Sequence, residues 1–419
     1  METLGTMNSA TFHSVLAPSQ TPVSDALRER AAVIPGRSMT RSKAPGRYFG
    51  ALPGPLYASH GVGAELFDMD GRRYIDMVCA LGAISLGYEP TNVLSARSQV
   101  FSLPSHEEVH AAEAVLTHVA PWAGSVRFVK TGSEATHAAY RIAKAATGRR
   151  IVLVLDGSYH GWHEWATERA AWNSDGFARC FDGPETLAFA HDAGLDLLEQ
   201  ESGGIREPLS CDVAAVFIEP PRWRAFDRDW LLGVRAFCNR VGALLVFDEM
   251  IYGGRWALGG ATEYFDVRPD LACYGKALGN GAAVAFVVGR RDLMDAHGEM
   301  VSGTYSGDVA GLSAVTATVR AYTQGRPLEV IWQRGRQLQR GLDSVLAEAG
   351  LGGRVVREGM PVHQRLRWAK REDAYRFSSA MASRGVLWHP DVVNVCAAHT
   401  REQIELVVEA AGECLLEMK

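Results

Sequence analysis

Three residues that could carry out chemistry stand at the ends of apolar runs in the sequence. Glu219 and Asp248 each follow directly on a run rich in Val, Ile, Leu and Phe, and Lys276 follows another run after one glycine. Carboxylates hold and exchange protons, and a lysine amine bonds covalently to carbonyl carbons. Such runs are typical of strands buried on both faces, and ligands of open α/β sheets bind beyond the carboxyl ends of the strands. We therefore expect the three side chains to converge on one ligand.

Two further segments follow apolar runs and add groups of other kinds. Gly132 and Ser133 open a predicted helix after one run, and Tyr159 and His160 follow the next run. The N–H groups of a helix start bind phosphate, and an aromatic ring packs flat on another ring. Taken singly, these residues have plainer roles, because Gly-Ser usually caps a helix and aromatic rings usually fill space. Equally plain roles exist for the other three residues. Asp248 could cap a helix, Glu219 could form an ion pair with an arginine, and Lys276 could be solvated.

Taken together, these positions fit a single ligand, pyridoxal phosphate. Its aldehyde needs a lysine for a Schiff base, which Lys276 supplies. Its pyridine nitrogen needs an acidic partner that keeps the ring protonated and able to act as an electron sink, which Asp248 supplies. Its phosphate needs a helix N-terminus, here Gly132 and Ser133, and its ring needs flat packing, here against Tyr159. This convergence favours pyridoxal phosphate over the plainer roles.

Other ligand-binding motifs match the sequence less well. The stretch from Gly61 has only two of the three glycines of the dinucleotide-binding fingerprint, and Gly275-Lys276 lacks the Ser or Thr that follows in a P-loop. His160 and His163 do not have the spacing of the zinc-protease helix, and the seven cysteines are scattered without a C-x-x-C pair. The sequence therefore predicts neither a disulfide framework nor a metal site.

The elements that must position these residues alternate along the chain. Short β-branched runs predict strands, and segments with apolar residues at helical spacing lie between them. One helix is predicted from about Glu134 to Thr147 and ends at Gly148, and Asp70-Gly71 predicts the turn of a hairpin. The alternation predicts an α/β fold with a mainly parallel sheet. The predicted strands are Val126–Val129, Ile151–Leu155, Val213–Ile218, Ala243–Phe247, Leu271–Tyr274 and Ala283–Val288.

The length of 419 residues suits more than one packed unit, and the pattern of elements changes near residue 312. We predict an N-terminal arm and hairpin over residues 1–78, a large cofactor-binding domain over residues 79–311, and a small C-terminal domain over residues 312–419. The functional residues discussed so far all fall in the large domain.

The composition restricts the partners and the location of the protein. With 43 Lys and Arg against 48 Asp and Glu, the formal charge is −5, so no nucleic-acid or anionic-membrane partner is expected. No stretch approaches the roughly 18–20 apolar residues of a membrane span, and the N-terminal region lacks the apolar segment of a secretory signal. Scattered cysteines, odd in number, favour a reducing compartment. We predict a cytoplasmic protein that acts on a small molecule.

Around these residues the sequence resembles the class III aminotransferases, which are fold-type I pyridoxal-phosphate enzymes, and within them the glutamate-1-semialdehyde aminomutase branch. The resemblance covers nearly the whole chain after about Val33 and is most specific between Asp248 and Lys276. It implies a large domain with a mainly parallel seven-stranded sheet and a smaller α+β C-terminal domain. The matching stretches are Lys130-Thr-Gly-Ser-Glu-Ala-Thr, Gly157-Ser-Tyr-His-Gly-Trp-His, Val246-Phe-Asp-Glu-Met, Leu258-Gly-Gly-Ala-Thr-Glu-Tyr-Phe, Gly275-Lys276-Ala-Leu-Gly-Asn-Gly and Gly303-Thr-Tyr-Ser-Gly.

The resemblance implies a role for each residue that meets the cofactor ring. Lys276 would carry the cofactor as a Schiff base and shuttle the proton, and Asp248 would pair with the pyridinium nitrogen. Tyr159 and Met250 would pack on the two faces of the ring. Glu219 would lie near the ring hydroxyl and the substrate.

The resemblance also implies contacts around the phosphate. Gly132 and Ser133 would bind it, and His160 would belong to the same cofactor-binding segment as the stacking tyrosine. Thr304 would reach the phosphate bound by the neighbouring subunit. The enzyme would then be a homodimer with shared active sites.

Departures from the family pattern cluster where the substrate should lie. Gly254 stands where a bulky aromatic residue usually precedes the arginine that matches Arg255, and Tyr252 replaces a small residue. An arginine pair that includes Arg224 follows Glu219-Pro-Pro and is the leading candidate for binding a substrate carboxylate. We therefore predict substrate contacts from Arg224, Tyr252 and Arg255, and the departures argue against the mutase's own substrate.

Three functions are consistent with these residues. The main prediction is an aminotransferase that moves an amino group from an amino-acid donor to a ketone or aldehyde acceptor through the Lys276 Schiff base. The alternative is an intramolecular aminomutase of the glutamate-1-semialdehyde type, or another lyase or epimerase that uses the same cofactor. A non-catalytic cofactor-binding homologue is the remote alternative, because no catalytic position is lost. The sequence does not identify the donor or the acceptor.

Overall fold

A computed structural model describes residues 22–34, 37–88, 99–155, 157–167, 186–189, 212–220 and 228–419. The chain divides into two compact units. One consists of the described parts of Met1–Leu81, Leu86–Glu89 and Glu329–Lys419, and the other of the described parts of Gly82–Ser85 and Pro90–Leu328. We call them the smaller and the larger unit. The division into three segments at residues 78/79 and 311/312 stays a prediction.

Fourteen strands are present among the described residues. They are β1 Ala58–Val62, β2 Glu65–Asp68, β3 Arg73–Asp76, β4 Ser125–Val129, β5 Ile151–Leu155, β6 Thr186–Phe189, β7 Val213–Ile218, β8 Leu244–Asp248, β9 Leu271–Tyr274, β10 Ala285–Gly289, β11 Val355–Met360, β12 His363–Trp368, β13 Val386–Leu387 and β14 Val393–Asn394.

The α-helices of the described residues lie before, between and after these strands. They are α1 Pro22–Arg30, α2 Pro45–Phe49, α3 Cys79–Gly82, α4 His106–Ala114, α5 Gly132–Thr147, α6 Glu164–Thr167, α7 Arg228–Val241, α8 Gly260–Phe265, α9 Arg291–His297, α10 Val309–Gln324, α11 Pro327–Ala349, α12 Arg371–Ser383 and α13 Arg401–Glu417. None of the described helices is both long and apolar enough to cross a membrane.

The larger unit is built on a seven-stranded sheet with the order β4-β10-β9-β8-β7-β5-β6. Strand β10 runs antiparallel to both of its neighbours, and the remaining strands pair in parallel. The mainly parallel seven-stranded sheet implied by the sequence is confirmed. Every residue of β5, β7 and β8 is buried, so these strands are continuous apolar runs in the sequence.

The predicted strands agree with the observed ones to within one or two residues. Strand β8 includes Asp248, and β10 begins at Ala285 and ends at Gly289. Strand β6, Thr186–Phe189, was not predicted, because four residues at the sheet edge carry too short a pattern. Its pairing with β5 is what extends the sheet beyond the predicted strands.

Helix α5 follows β4 and begins slightly earlier than the predicted Glu134. Thr131 caps it by accepting the backbone N–H of Glu134, and the Glu134 carboxylate accepts the Thr131 N–H at 2.8 Å. The helix ends at Gly148, whose φ of 67° is the left-handed value that favours glycine. The end predicted from the sequence is therefore confirmed, and the capping box accounts for the start.

The smaller unit contains a four-stranded sheet, β1-β2-β3-β13, and a three-stranded sheet, β11-β12-β14. Strands β2 and β3 form the predicted hairpin, and Gly71 in its turn has a φ of 78°. Strand β13 pairs in parallel with β3, so a C-terminal segment completes the N-terminal hairpin sheet. The core of the smaller unit includes Phe377 and Trp388. The α+β character implied for the C-terminal region agrees with this arrangement.

Candidate active site

The ends of neighbouring strands bring the predicted acid and the predicted lysine together. Strands β8 and β9 run in parallel, and Asp248 is in register with Cys273, shortly before Lys276. A Cβ placed on Gly132 or on Gly275 would lie 2.9 Å from the Met250 sulfur. The Met250 side chain therefore packs between the start of α5 and the residue before the lysine.

The backbone of Lys276 is strained. Its φ of 45° lies in the left-handed region, which L-residues rarely adopt and which is found most often at functional sites. The turn after it is fixed from outside, because the Ser85 N–H donates to Asn280 Oδ1 at 2.9 Å and Ser85 Oγ donates to the Ala277 carbonyl at 3.1 Å. Ser85 and Asn280 are both buried. The surrounding contacts thus hold the lysine in an unusual conformation.

Asp248 is buried and hydrogen-bonded through both oxygens. Oδ2 lies 2.8 Å from His160 Nδ1, and Oδ1 accepts the Met250 N–H at 3.1 Å. Only 1% of Asp248 and 3% of His160 are exposed, so the two groups form their contact out of water. Because a carboxylate can only accept, the His160 tautomer in this contact carries its proton on Nδ1.

Packing fixes His160 in place. Thr136 Oγ1 donates to the His160 carbonyl at 2.6 Å, and the imidazole contacts the rings of Trp165 and Phe217. Its other ring nitrogen, Nε2, has no hydrogen-bond partner among the described residues. A buried nitrogen of this kind is available to a bound group.

The segment around His160 packs against the first turn of α5. Ser133 Oγ accepts the Trp162 N–H at 3.3 Å. Gly161 has a φ of 109°, and a Cβ there would lie 2.6 Å from Ser133 Oγ. Only glycine allows this close approach, so the conformation of the loop and the start of the helix depend on each other.

Glu219 connects the ends of two other strands. It follows β7, and its Oε2 accepts the Tyr159 N–H at 2.8 Å. Glu219 is buried, whereas Tyr159 is half-buried. Because β5 and β7 are neighbours, this bond joins the loop after β5 to the end of β7. The predicted stacking residue is thereby held at the same rim as Asp248.

Glu249 is a buried acid that was not predicted from the sequence. It is fully buried and accepts the Ala261 N–H at 2.9 Å, the Thr262 N–H at 2.8 Å and Thr262 Oγ1 at 2.7 Å. Burial raises the pKa of Glu249 from 4.5 to about 7, although these hydrogen bonds oppose the shift. Two consecutive acids after a buried strand were the available signal. Asp248 faces the site, and Glu249 anchors the start of α8.

Two of the predicted substrate residues are buried. Arg255 is fully buried, and its Nη2 donates to the Gly82 carbonyl at 2.8 Å and the Ile84 carbonyl at 3.3 Å. Tyr252 is also fully buried and packs on Trp256. The contacts of Arg255 give it a structural role and do not support its predicted contact with substrate. For both Arg255 and Tyr252, the contact with substrate stays a prediction.

The last predicted residues lie apart from the buried centre or outside the described residues. Thr304 is exposed in a turn between α9 and α10, next to Tyr305, which is 64% exposed. Its predicted contact with a neighbouring subunit stays a prediction. Arg224 lies outside the described residues.

The residues present fit pyridoxal phosphate. A buried carboxylate suits a protonated ring nitrogen, a strained lysine suits covalent attachment, and the first turn of α5 suits a dianionic phosphate. The glycine at position 132 leaves room that a Cβ would take from Met250. This donor set would not suit a neutral apolar ligand, because burying the Asp248 carboxylate without a cationic partner is costly.

Comparison with known sequences identifies the family. The family model described as aminotransferase class-III matches residues 50–410. The glutamate-1-semialdehyde 2,1-aminomutase of Thermomicrobium roseum is 34% identical over 400 residues, covering 87% of this chain and 91% of the relative. The enzyme of the same name from Thermus thermophilus is 32% identical over 441 residues, covering 94% of this chain and 99% of the relative.

Solved structures agree with this result. The internal aldimine form of the FumI protein from Sphingopyxis sp. MTA144 has a TM-score of 0.80 at 27% identity, covering 94% of this chain and 96% of that one. A glutamate-1-semialdehyde aminomutase from Pseudomonas aeruginosa also has a TM-score of 0.80, at 18% identity, with 95% of each chain covered, which shows the shared fold. The chain belongs to the class III aminotransferases, a family of pyridoxal-phosphate-dependent enzymes.

Proposed function

We propose that this enzyme transfers an amino group from an amino-acid donor to a ketone or aldehyde acceptor and attaches its cofactor covalently at Lys276. The observation that supports this most directly is the position of Lys276. It follows the strand next to Asp248 and has a φ of 45° that the surrounding contacts maintain. Strained backbone of this kind persists where function requires it.

The residues around Lys276 divide the task of holding the cofactor. Gly132 and Ser133 would bind its phosphate through N–H groups in the first turn of α5. Tyr159 and Met250 would pack against the ring, and His160 would support the loop that carries Tyr159. When bound, pyridoxal phosphate supplies an electron sink for the electron pair left on the donor carbon when a proton is removed.

The residues of the protein contribute to catalysis by holding and transferring protons. Lys276 Nζ acts as the general base at the carbon bonded to the donor nitrogen and later returns the proton. Asp248, whose contact with His160 at 2.8 Å fixes its orientation, would keep a proton on the ring nitrogen. Glu219, whose carboxylate accepts the Tyr159 N–H, would lie beside the ring hydroxyl and the substrate.

An intramolecular aminomutase is the second candidate. The curated relatives at 34% and 32% identity are glutamate-1-semialdehyde 2,1-aminomutases, and this observation favours the alternative. The same lysine and aspartate would serve, but the intermediate would have to remain bound until the second half of the reaction. The substrate contacts of Arg224, Tyr252 and Arg255 belong to this proposal as predictions.

We further propose that the enzyme is a cytoplasmic homodimer. Thr304 would contribute its hydroxyl to the phosphate held by the other subunit. The exposure of Thr304, beside a tyrosine that is 64% exposed, supports this assignment. A shared site would make the active enzyme an obligate dimer.

Absorbance titration of the purified holoenzyme tests the reaction type. The absorbance band of the lysine-bound cofactor is followed while glutamate, glutamine, alanine or a diamine is added. A transferase loses the band with its donor, recovers it with a keto acid, and releases a keto product from the donor. A mutase loses no band with glutamate, glutamine or alanine and converts glutamate-1-semialdehyde into an isomer of the same mass. Absence of the band in folded, cofactor-saturated protein would contradict the role of Lys276.

A further inference from the structure

A buried cluster of two cysteines and one histidine lies in the smaller unit. Cys79, Cys396 and His399 are each at most 2% exposed. One ligand atom from each lies within 4.8 Å of those of the other two. Among the described residues this is the group of His, Cys, Asp and Glu side chains close enough to hold a metal ion. The reaction proposed above uses none of the three.

Two segments that are far apart in sequence meet at this cluster. Cys79 follows β3, and the other two residues follow β14. The Asn394 N–H donates to the Met77 carbonyl at 2.8 Å, and Asn394 Nδ2 donates to the Val78 carbonyl at 3.0 Å. These bonds fix the two segments side by side, so the cluster is part of the fold of the smaller unit.

The histidine contributes an unpartnered buried atom. Cys396 Sγ lies 3.1 Å from His399 Nδ1. His399 Nε2 has no hydrogen-bond partner among the described residues, although the side chain is almost completely buried. His399 Nδ1 also accepts the Cys396 N–H at 3.0 Å, so Nε2 is the ring nitrogen that is left for a bound ion.

The backbone that carries Cys79 is strained. Cys79, Ala80 and Leu81 have φ values of 50°, 51° and 61°, a run of left-handed residues without glycine. Such residues normally occur singly, because Cβ then lies too close to the following carbonyl oxygen. Asp76 Oδ1 accepts the N–H groups of Val78 and Cys79 and so holds the start of this turn. Strain of this kind clusters at ligand clamps and active sites.

We propose that Cys79, Cys396 and His399 bind one zinc ion. Two thiolates and an imidazole are a ligand set that zinc uses together with one open coordination position. The charges decide between thiophilic cations, because two thiolates and Zn²⁺ are neutral overall, whereas Cu⁺ would leave a buried negative charge. Zn–S bonds of about 2.3 Å and Zn–N bonds of about 2.0 Å are compatible with ligand atoms that all lie within 4.8 Å of one another. The ion ties the segment after β3 to the segment after β14.

Metal analysis of the full-length holoenzyme tests the site. The protein is produced in zinc-supplemented medium and purified without metal-affinity resin or chelator, and its metals are measured by mass spectrometry. We expect about one zinc ion per chain, removed by a chelator together with a lower thermal midpoint, and restored by zinc alone. Copper in place of zinc would overturn the zinc assignment. Metal-free protein that does not take up zinc, or a disulfide between the two cysteines, would overturn the site.

Matched cysteine variants locate the ion. Cys396→Ala and His399→Asn should lose zinc, and Cys414→Ala, which removes another buried thiol of the same unit, should retain it. Cobalt provides a readout on the wild-type protein itself. Wild-type protein loaded with Co²⁺ should show a thiolate-to-cobalt absorbance band that weakens in Cys79→Ala. Bound cobalt without that band, or zinc retained by folded Cys396→Ala, would contradict the proposal.

Discussion

At the scale of single residues, the candidate site depends on a carboxylate whose charge is buried and a lysine whose backbone is strained. Asp248 is 1% exposed, and hydrogen bonds from the His160 imidazole and the Met250 N–H make its burial acceptable. Lys276 is only half-buried, but its backbone is held in a strained conformation. Hydrogen bonds fix the surroundings of the Asp248 carboxylate, and the backbone conformation fixes where the Lys276 side chain starts. Both are required if a proton is to move between defined atoms.

Replacing Lys276 by Ala tests the covalent and base roles together. Because no other described residue is proposed as the base, the donor half-reaction should slow by at least roughly 10²–10⁴-fold, the range of general acid–base catalysis. The band of the lysine-bound cofactor should be absent, while the cofactor still binds through its phosphate. Rapid-scanning absorbance after mixing with donor measures both. Lys370→Ala, at an exposed position, should behave like wild type, and a half-reaction of normal rate in Lys276→Ala would refute the assignment.

Replacing Asp248 by Asn tests the ring-nitrogen role with little change of shape. Asn keeps an oxygen for the Met250 N–H but carries no negative charge to hold a proton on the ring. We expect the donor half-reaction to slow by about 10²–10³-fold, as when one preorganised electrostatic partner is removed. Single-turnover rates at saturating donor provide the measurement. A variant that binds cofactor normally and reacts at the wild-type rate would exclude this role.

At the scale of elements, the site is assembled where loops pack on helix starts. The loop after β5 reaches the first turn of α5 through Gly161 and Ser133, and the segment after β8 reaches the start of α8 through Glu249. In both places a glycine removes the Cβ that would separate the two segments. A Cβ on Gly260 would lie 2.2 Å from Glu249 Oε2. These contacts set the positions of the functional side chains.

Replacing Gly161 by Ala should disturb the phosphate end of the site. The added Cβ would lie 2.6 Å from Ser133 Oγ and 2.9 Å from its Cα, so either the loop or the helix start must move. Cofactor should then be lost more readily on dialysis, and the thermal midpoint should fall. Gly157→Ala is the matched control, because its φ of 77° brings strain of about 1–2 kcal/mol without any contact within 4 Å. Equal cofactor retention in the two variants would contradict the clash.

The carboxyl of Glu249 should make stability depend on pH. Its pKa in the folded protein, about 7, is above the ordinary value of 4.5, because burial favours the protonated form. Below pH 4.5 the Glu249 carboxyl makes its full contribution to the free energy of unfolding. This contribution is lost as the pH rises through 7, which lowers the free energy of unfolding by about 3 kcal/mol. Denaturant unfolding at several pH values compares wild type with Glu249→Gln, which does not titrate. The difference between the two free energies of unfolding should fall with pH; parallel curves would show that Glu249 is not responsible.

At the scale of the whole molecule, the proposal requires a second subunit. Thr304 is exposed in the chain, and its proposed target is a phosphate held by the neighbour. The prediction concerns assembly as well as catalysis, because a residue that acts across an interface cannot be tested within one subunit alone. Sedimentation analysis of the holoenzyme should give the mass of a dimer.

Mixed dimers test the contribution of Thr304. Thr304→Ala homodimers should bind the cofactor more weakly, and Lys276→Ala homodimers should be inactive. In a mixed dimer of the two variants, one site combines an intact Lys276 with an intact Thr304 from the other subunit. Mixed dimers should therefore recover activity with wild-type cofactor affinity. If Thr304 acts within its own subunit, the active site of the mixed dimer would keep the weak affinity of Thr304→Ala.

The fold class and the cofactor chemistry could be predicted from the amino-acid pattern alone. Strands buried on both faces are continuous apolar runs, so β5, β7 and β9 could be located closely without a structure. Because ligands bind at the carboxyl ends of such strands, the residues after each run were sufficient to assemble Asp248 and Lys276 into one site. Local rules also located the hairpin turn at Gly71 and the end of α5 at Gly148.

Which of the remaining groups meet could be seen only in the folded chain. The burial of Arg255 against the Gly82 carbonyl could not be read from the sequence, and neither could the contact of Glu249 with the start of α8. The scattered cysteines predicted no metal site, yet Cys79 and Cys396 lie side by side. Their contact depends on hydrogen bonds between segments that are more than 300 residues apart. No periodicity or spacing encodes a contact of that kind, because it results from how the whole smaller unit packs.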